Sequence, residues 1–266
     1  MRNNVLIIVG MHRSGTSATS QWLQECGLNI GNHLLEKNDF NKNGHFEDLD
    51  FHDLHEKILK AKGFSYGGLL DIEDFTLDEY EKAQLKTLVE EKDLASTKDW
   101  GWKEPRTCLF LKDYTEIIPQ AKLIVILRDY RNIIQSLTLR KLRKRDVKYD
   151  KKNLFIKFLY THIYKKILIQ SYVKKYTKAT TIYYKNILAV VNENNSLVFD
   201  FERICDLDDE IIDTINQWGF KLEKYPAKLV INPTFITPVK IKIKPNKELD
   251  ELQNNIKLNT RFITTA

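Results

Sequence analysis

The sequence predicts an α/β fold in which a central parallel sheet is flanked by helices on both faces, a three-layer sandwich. Three observations carry that expectation. Short runs rich in Val and Ile, at Val5–Val9, Ala121–Leu127 and Ser196–Phe201, have the length and residue types of buried strands. Stretches with helical apolar spacing separate them, and no hairpin signal joins any two, so each strand has to be reached by a crossover. Ligands in such sheets sit at the carboxyl ends of the strands, which is where this chain places its polar motifs.

Val5–Val9 opens the sheet and leads into a loop bounded by Gly10 and Gly15. Thr16 to Cys26 follows as a helix, with Ala18, Trp22, Leu23 and Cys26 on one stripe and Gly27 at the place of a C-terminal cap. Leu28 to Asp50 is long, polar and rich in turn residues, the kind of insertion that contributes to sites, and it ends in Gly44-His45-Phe46-Glu47-Asp48. Phe51 to Ala61 reads as a helix, and Thr76 to Glu91 as a second one opened by Thr76 or Asp78. Trp100-Gly101-Trp102-Lys103-Glu104-Pro105-Arg106 precedes a helix that Pro119 ends. Beyond the strand Ala121–Leu127, Arg128-Asp129-Tyr130-Arg131-Asn132 runs into a helix through Ile133, Ile134 and Leu137, and the basic run Lys141–Lys152 is expected as its solvated end or a loop. Leu154 to Tyr176 reads as a helix whose Phe158, Tyr160, Ile163, Tyr164 and Ile167 form a thick apolar and aromatic face, its tyrosines expected in the core rather than at a ligand, and a further helix ends near the turn Asn192–Asn195. Ile211 to Trp218 is a helix closed by Gly219. In the tail from about Pro226, Val239–Lys244 alternates as an exposed strand does, and Leu249–Ile256 suits a short helix. No repeat or linker divides residues 1–266, so a single domain is the simpler reading.

Composition bounds the function. The net charge of +6 favours anionic ligands weakly, and without interleaved aromatic and basic residues it gives no ground for a nucleic-acid partner. Cys26, Cys108 and Cys205 are isolated, lack metal-ligand spacing and suit buried thiols in a reducing compartment. No apolar run approaches the length of a membrane span or a signal-peptide core, so a soluble, cytoplasmic protein is expected.

The chemistry begins in Gly10-Met11-His12-Arg13-Ser14-Gly15-Thr16-Ser17. Glycines let a backbone approach an anion, and the free N–H groups and positive dipole end of the next helix attract it. Both glycines of a Walker A loop stand at the right spacing, but Thr16-Ser17 replaces its Lys-Ser/Thr pair. The strand Leu123–Leu127 ends in Arg128 rather than an acidic residue that could hold Mg²⁺, which argues against an ATP- and Mg²⁺-dependent kinase.

These segments resemble the sulfotransferases that use 3′-phosphoadenosine 5′-phosphosulfate (PAPS), in the branch acting on carbohydrates and tyrosylproteins. His12-Arg13-Ser14-Gly15-Thr16-Ser17 is similar to the family's 5′-phosphosulfate loop. Arg128 with Ser136 eight residues on is similar to its 3′-phosphate motif, and Trp102-Lys103-Glu104-Pro105-Arg106 to its Lys-Asp-Pro element. Phe199-Asp200-Phe201-Glu202-Arg203-Ile204 resembles its Tyr-Glu-Asp-Leu strand, and Gly44-His45-Phe46-Glu47 its Gly-Tyr-Phe-Glu segment. The matches keep the family's order over residues 5–220.

The resemblance implies a P-loop NTPase-like three-layer fold and metal-independent, in-line transfer of a sulfuryl group from PAPS to a hydroxyl or amine, the acceptor being a carbohydrate or other small molecule. It implies that His12, Ser14, Gly15, Thr16 and Ser17 hold the 5′-phosphate, that Arg13 and Lys103 act on the transferring group, and that Arg128 and Ser136 hold the 3′-phosphate. Glu47 is the first choice of general base and His45 its rival. His52 and His55 rank behind them because they fall on the following helix. Structural alternatives stand beside these roles: an ion pair of Lys103 with Glu104 or another carboxylate, an ion pair of Arg128 with Asp129, plain helix surface for Ser136, and a solvated acidic cluster of Glu47, Asp48, Asp50 and Asp53. Two departures touch the adenine. Ala18 replaces an aromatic residue, with Trp22 as its possible substitute, and Phe201 keeps a ring without a hydroxyl. A kinase and a nucleotide-binding module without catalysis are the competing readings.

Overall fold

The computed structural model describes residues 3–35, 44–64, 67–231 and 241–263. Among them, five parallel strands form one sheet in the order β2-β1-β3-β4-β5. They are β1 (Val5–Val9), β2 (Trp100–Lys103), β3 (Lys122–Leu127), β4 (Ser196–Asp200) and β5 (Arg261–Phe262). The three expected strands are present to within a residue. β2 and β5 were not expected, and the reason is local: Trp-Gly-Trp-Lys contains no β-branched residue, and β5 has only two residues. Their pairing with β1 and β4 makes them strands, not their own propensity.

Helices cover both faces, as parallel pairing requires. Val5, Ile7 and Val9 point into one apolar layer with Leu123, Val125 and Leu127, beneath helices α2 (Leu49–Ala61), α3 (Glu79–Ala95), α4 (Leu111–Ile117), α5 (Tyr130–Asp150), α7 (Lys165–Leu188) and α9 (Lys247–Leu258). Leu6 and Ile8 point the other way, with Ile124, Ile126, Leu197 and Phe199, under α1 (Thr16–Glu25) and α8 (Asp208–Gln217). Asp78 opens α3 with a capping box to Glu81, and Asp48 caps α2. Burial pushes the thiols of Cys26 and Cys108 up to about 12, so they are inert apolar fillers. Among the described residues no helix is long and apolar enough to cross a membrane.

Three expectations need correction. The two helices expected before the turn Asn192–Asn195 are a short α6 (Leu154–Leu159), a π-helical turn at Tyr160–Tyr164 and one unbroken α7. The face whose tyrosines were expected in the core is largely outside it: Tyr160 is buried, while Phe158, Ile163, Tyr164 and Ile167 are exposed. Helical periodicity reports a stripe, not whether anything covers it. Finally, residues 241–244 form no strand, Val239 and Lys240 lying outside the described residues, because Ile241 instead donates its N–H to the buried Gln135 side chain, at 2.8 Å.

Strand order has a consequence for the site. The chain leaves β1 for β2 on one side and then crosses to β3 on the other, so the connections diverge between β1 and β3 and open a crevice at their carboxyl ends. β2 lies close enough to β1 that a Cβ on Gly101 would collide with the Leu6 carbonyl. Gly101→Ala is therefore expected to cost about 1–3 kcal/mol of stability, read as a lower urea midpoint with unchanged slope. An unaltered midpoint would contradict the close approach.

Candidate active site

The carboxyl ends of four strands supply the site. β1 gives the loop 10–15, β2 gives Lys103 and Glu104, β3 gives Arg128, and β4 leads into Phe201. The loop is shaped by two glycines with different constraints. A Cβ on Gly10 would sit 2.6 Å from Ser14 Oγ and 2.8 Å from the Ile126 carbonyl. Gly15 has φ 104°, and a Cβ there would collide with the Phe201 ring. Arg13 also takes a positive φ of 74°, which turns its side chain out of the loop toward β3.

Gly15 is the N-cap of α1 and provides no side chain to its first turn, whereas α2, α3, α5 and α9 are capped by Asp48, Asp78, Asp129 and Asn246. The first N–H groups of α1 thus face the crevice with no capping oxygen. Beside them the Ser14 hydroxyl is buried and has no hydrogen-bond partner. A buried orphan hydroxyl next to an uncapped helix start, where no side chain would fit on either glycine, is the shape and polarity of a seat for an anionic oxygen.

On the β3 side of the loop, cations gather. Arg13 Nε donates to Ser136 Oγ at 3.0 Å, and Arg128 donates to the Arg13 carbonyl at 3.1 Å. Burial first, and then the neighbouring charges of Arg140, Arg128 and Arg143, lower the Arg13 pKa. Ser136, Arg140 and Arg143 are spaced i, i+4 and i+7 and so share one face of α5. That spacing is the signal by which Arg140 could have been found in the sequence. The alternative pair of Arg128 with Asp129 does not form. Asp129 caps α5 and pairs with Arg131, while Arg128 meets Glu202 at 3.2 Å. Ser136 is likewise not plain surface, since it anchors Arg13.

On the β2 side Lys103 is buried. Its Nζ donates to Ser17 Oγ at 3.1 Å, to the His45 carbonyl at 2.6 Å and to Glu47 Oε1 at 3.0 Å. The ion pair is with Glu47 and not Glu104. Burial pushes the Lys103 pKa down, and the Glu47 charge offsets this only in part. Burial would push Glu47 up, but the Lys103 charge outweighs it and keeps the carboxyl below its ordinary value. The acidic cluster around Glu47 separates into structural roles: Asp48 caps α2 and pairs with Lys92, Asp50 meets Lys92 and His33, and Asp53 meets His52. Only Glu47 turns to the loop. His45 is half-buried, and burial lowers its imidazole pKa.

Behind this pair lies a buried network that sequence reasoning missed. Glu104 Oε2 lies 2.7 Å from His55 Nδ1, and His55 Nε2 lies 2.7 Å from the Tyr114 hydroxyl. Burial lowers the His55 pKa, so the ring is neutral; Nδ1–H donates to Glu104, and Nε2 accepts from Tyr114. Burial acts to raise Glu104, but the Arg106 charge and the His55 hydrogen bond hold its pKa at about 2. His55 is therefore a structural peg rather than a base. Trp22 is corrected as well: it is fully buried under α1 and donates to the Tyr225 carbonyl at 2.6 Å, out of reach of a ligand in the crevice. Phe201 stands at the crevice, packed on Gly15 with the Arg128 guanidinium 5.9 Å from its ring centre.

His12 lies in the loop, but its Nε2 is enclosed without a partner and its ring faces Tyr183 at 5.9 Å between centres. Burial, then the Arg106 charge, lowers its pKa to about 3. The unfolded chain protonates this imidazole below about pH 6.5, and the folded chain resists until far lower pH. Its depressed pKa gives stability that is complete above pH 6.5 and lost as pH falls toward 3. His12→Gln is expected to flatten the stability profile between about pH 6.5 and 4.5, by on the order of 1–2 kcal/mol in urea unfolding. A profile as steep as the parent's would show that the imidazole is already protonated in the fold.

No protein-family model matches the chain, and no curated protein matches it. Solved sulfotransferase structures do resemble it. The sulfotransferase domain from the curacin biosynthetic pathway aligns over 96% of this chain and 98% of its own, at 12% identity and TM-score 0.49. The sulfotransferase domain from the Synechococcus PCC 7002 olefin synthase aligns over 95% and 94%, at 16% identity and TM-score 0.49. Sulfotransferase STF9 from Mycobacterium avium aligns over 96% and 75%, at 15% identity and TM-score 0.46. Over nearly its whole length, the chain is similar in path to sulfotransferase domains, a likeness that assigns no role to any of its residues.

Proposed function

We propose that this chain transfers a sulfuryl group from PAPS to a hydroxyl or amine of a carbohydrate or other small acceptor. The observation that carries the reading is the division of cations about one uncapped loop: Arg13, Arg128, Arg140 and Arg143 with Ser136 on the β3 side, and Lys103 with Glu47 on the β2 side. A donor with two separate anionic ends, a 5′-phosphosulfate and a 3′-phosphate, suits that division. The orphaned Ser14 hydroxyl and the side-chain-free approach at Gly10 and Gly15 fit a phosphate oxygen.

When bound, PAPS supplies an activated sulfuryl group and leaves as adenosine 3′,5′-bisphosphate. The N–H groups at the start of α1, with the Ser14, Thr16 and Ser17 hydroxyls, hold the 5′-phosphate. Arg13 and Lys103 stabilise charge on the bridging and transferring oxygens, Lys103 through its charge, since its three N–H donors are taken by Ser17, the His45 carbonyl and Glu47. Glu47, kept ionised by Lys103, accepts the acceptor's proton at a carboxylate oxygen. Arg128 and Ser136 hold the 3′-phosphate, and Phe201 offers its ring to the adenine. The scheme requires no metal.

One observation keeps the ATP- and Mg²⁺-dependent kinase in view: Lys103, 3.1 Å from Ser17, brings to the loop from β2 the lysine that a Walker A loop carries itself. Calorimetry separates the readings. Adenosine 3′,5′-bisphosphate is expected to bind without Mg²⁺ and more tightly than AMP, and Arg128→Ala to lose about 10–100-fold for the bisphosphate with little change for AMP. Binding that requires Mg²⁺ and ignores the 3′-phosphate would falsify the proposal, while tight bisphosphate binding with no transfer to any acceptor would leave a nucleotide-binding module.

The base assignment has its own test. Glu47→Gln is expected to lower turnover about 10²–10⁴-fold while His45→Ala stays within a few-fold of the parent. The opposite ordering would move the role to His45.

A further inference from the structure

Away from the crevice, α6 breaks the rule that an apolar helix finds cover. Five of its six residues are apolar, spread over more than half its circumference, and none is buried. Leu154 is 86% exposed, Phe155 70% and Phe158 58%, and the exposed apolar surface continues through Ile163 and Ile167. The tip is nevertheless firmly footed. The Asn153 side chain caps α6. At its base the buried Tyr160 stacks on Tyr149 with centres 4.0 Å apart and donates its hydroxyl to Asp146 at 2.6 Å, and Lys165 pairs with Asp146 at 2.9 Å.

Charge is concentrated on the same segment. Residues 141–166 hold ten Lys or Arg against two Asp, a net +8 that exceeds the +6 of the whole chain. Both carboxylates are already paired, Asp146 with Lys165 and Asp150 with Lys157. Lys148, Lys151, Lys152 and Lys166 are exposed around the apolar tip.

A second copy packed symmetrically on this surface would oppose one such charge with another, which is unfavourable. A protein groove that takes a helix reads one stripe at i, i+3 and i+4, a narrower face than α6 presents. An anionic bilayer satisfies both features, since its acyl boundary accepts apolar side chains over a broad arc while its headgroups attract the surrounding lysines.

We propose that the α6 tip is a docking element for an anionic lipid surface. Phe155, Phe158 and Leu159 enter the acyl boundary, and Lys148, Lys151, Lys152 and Lys166 meet headgroup phosphates. At about 9 Å long, α6 lies in the interface and does not span it. This docking is independent of the donor chemistry proposed above.

Sedimentation of the full chain with vesicles tests it, without nucleotide. The chain is expected to pellet with vesicles of phosphatidylcholine mixed with phosphatidylglycerol, much less with phosphatidylcholine alone, and less as salt rises. The double variant Phe155→Ser/Phe158→Ser is expected to lose at least about tenfold in partitioning with unchanged thermal unfolding. Lys151→Glu/Lys152→Glu is expected to remove the preference for the anionic mixture. Failure of the parent chain to pellet with the mixed vesicles, or equal pelleting of the phenylalanine double variant, overturns the proposal. Self-association without vesicle binding, abolished by that double variant, overturns it too and makes the face a contact between copies.

Discussion

The buried ammonium of Lys103 is the constraint from which the site follows. An amine taken out of water costs several kcal/mol unless its donors are satisfied. Here its three acceptors come from two separate segments: Ser17 on α1, and the His45 carbonyl with Glu47 two residues further on. Satisfying one cation therefore fixes the distance between the phosphate-type loop, the end of β2 and the segment 44–48. Such a pair is a poor source of stability, since a well-packed apolar pair would do as well. Its use is placement: it keeps a cation and an ionised carboxylate within 3.0 Å of each other at the mouth of a crevice.

The second constraint is the convergence of like charges. Four arginines converge near the loop, and Glu202 is the carboxylate that meets Arg128. Like charge brought together disfavours the fold, so its presence where α1 offers uncapped N–H groups is the usual mark of a surface built for an anion rather than for packing. The Glu104–His55–Tyr114 chain supports the arrangement from behind. It occupies every polar atom of His55 and sets Glu104 beside Arg106, which leaves Lys103 to Glu47.

Much of this was legible because it rests on local pattern. β1, β3 and β4 announce themselves by Val and Ile, and Gly10 to Ser17 by its glycines and hydroxyls. The pairing of Lys103 with Glu47, residues 56 apart, was not legible, nor was the pairing of Arg128 with Glu202, because partner choice is set by strand order and not by neighbours in sequence. The adjacent carboxylates Glu104 and Asp129 stood as alternatives; Lys103 instead pairs with another carboxylate, Glu47, and Arg128 with Glu202. β2 escaped notice for a related reason: Gly101 is disfavoured in strands on its own account but is the residue that lets β2 approach Leu6. The apolar stripe at Phe158–Ile167 shows the converse error, in which the periodicity was correct and Tyr164 was assigned to the wrong environment.

That stripe and the crevice are joined by one element. α5 begins at the Asp129 cap beside Arg128, turns Ser136, Arg140 and Arg143 toward the loop, and at its far end places Asp146 and Tyr149 under the α6 tip. Its two ends serve different positive regions: Ser136, which meets Arg13, and Tyr149, under the α6 tip, lie about 20 Å apart along the axis. They also differ in kind. The first gathers about the loop, beside the buried Ser14 hydroxyl and the uncapped start of α1, which suits a compact anion held by directed hydrogen bonds. The second surrounds exposed phenylalanines with flexible lysines, which suits a broad anionic surface with an apolar layer beneath it. The positive charge gathered about α5 is therefore better accounted for by two anions of different geometry than by a single extended one.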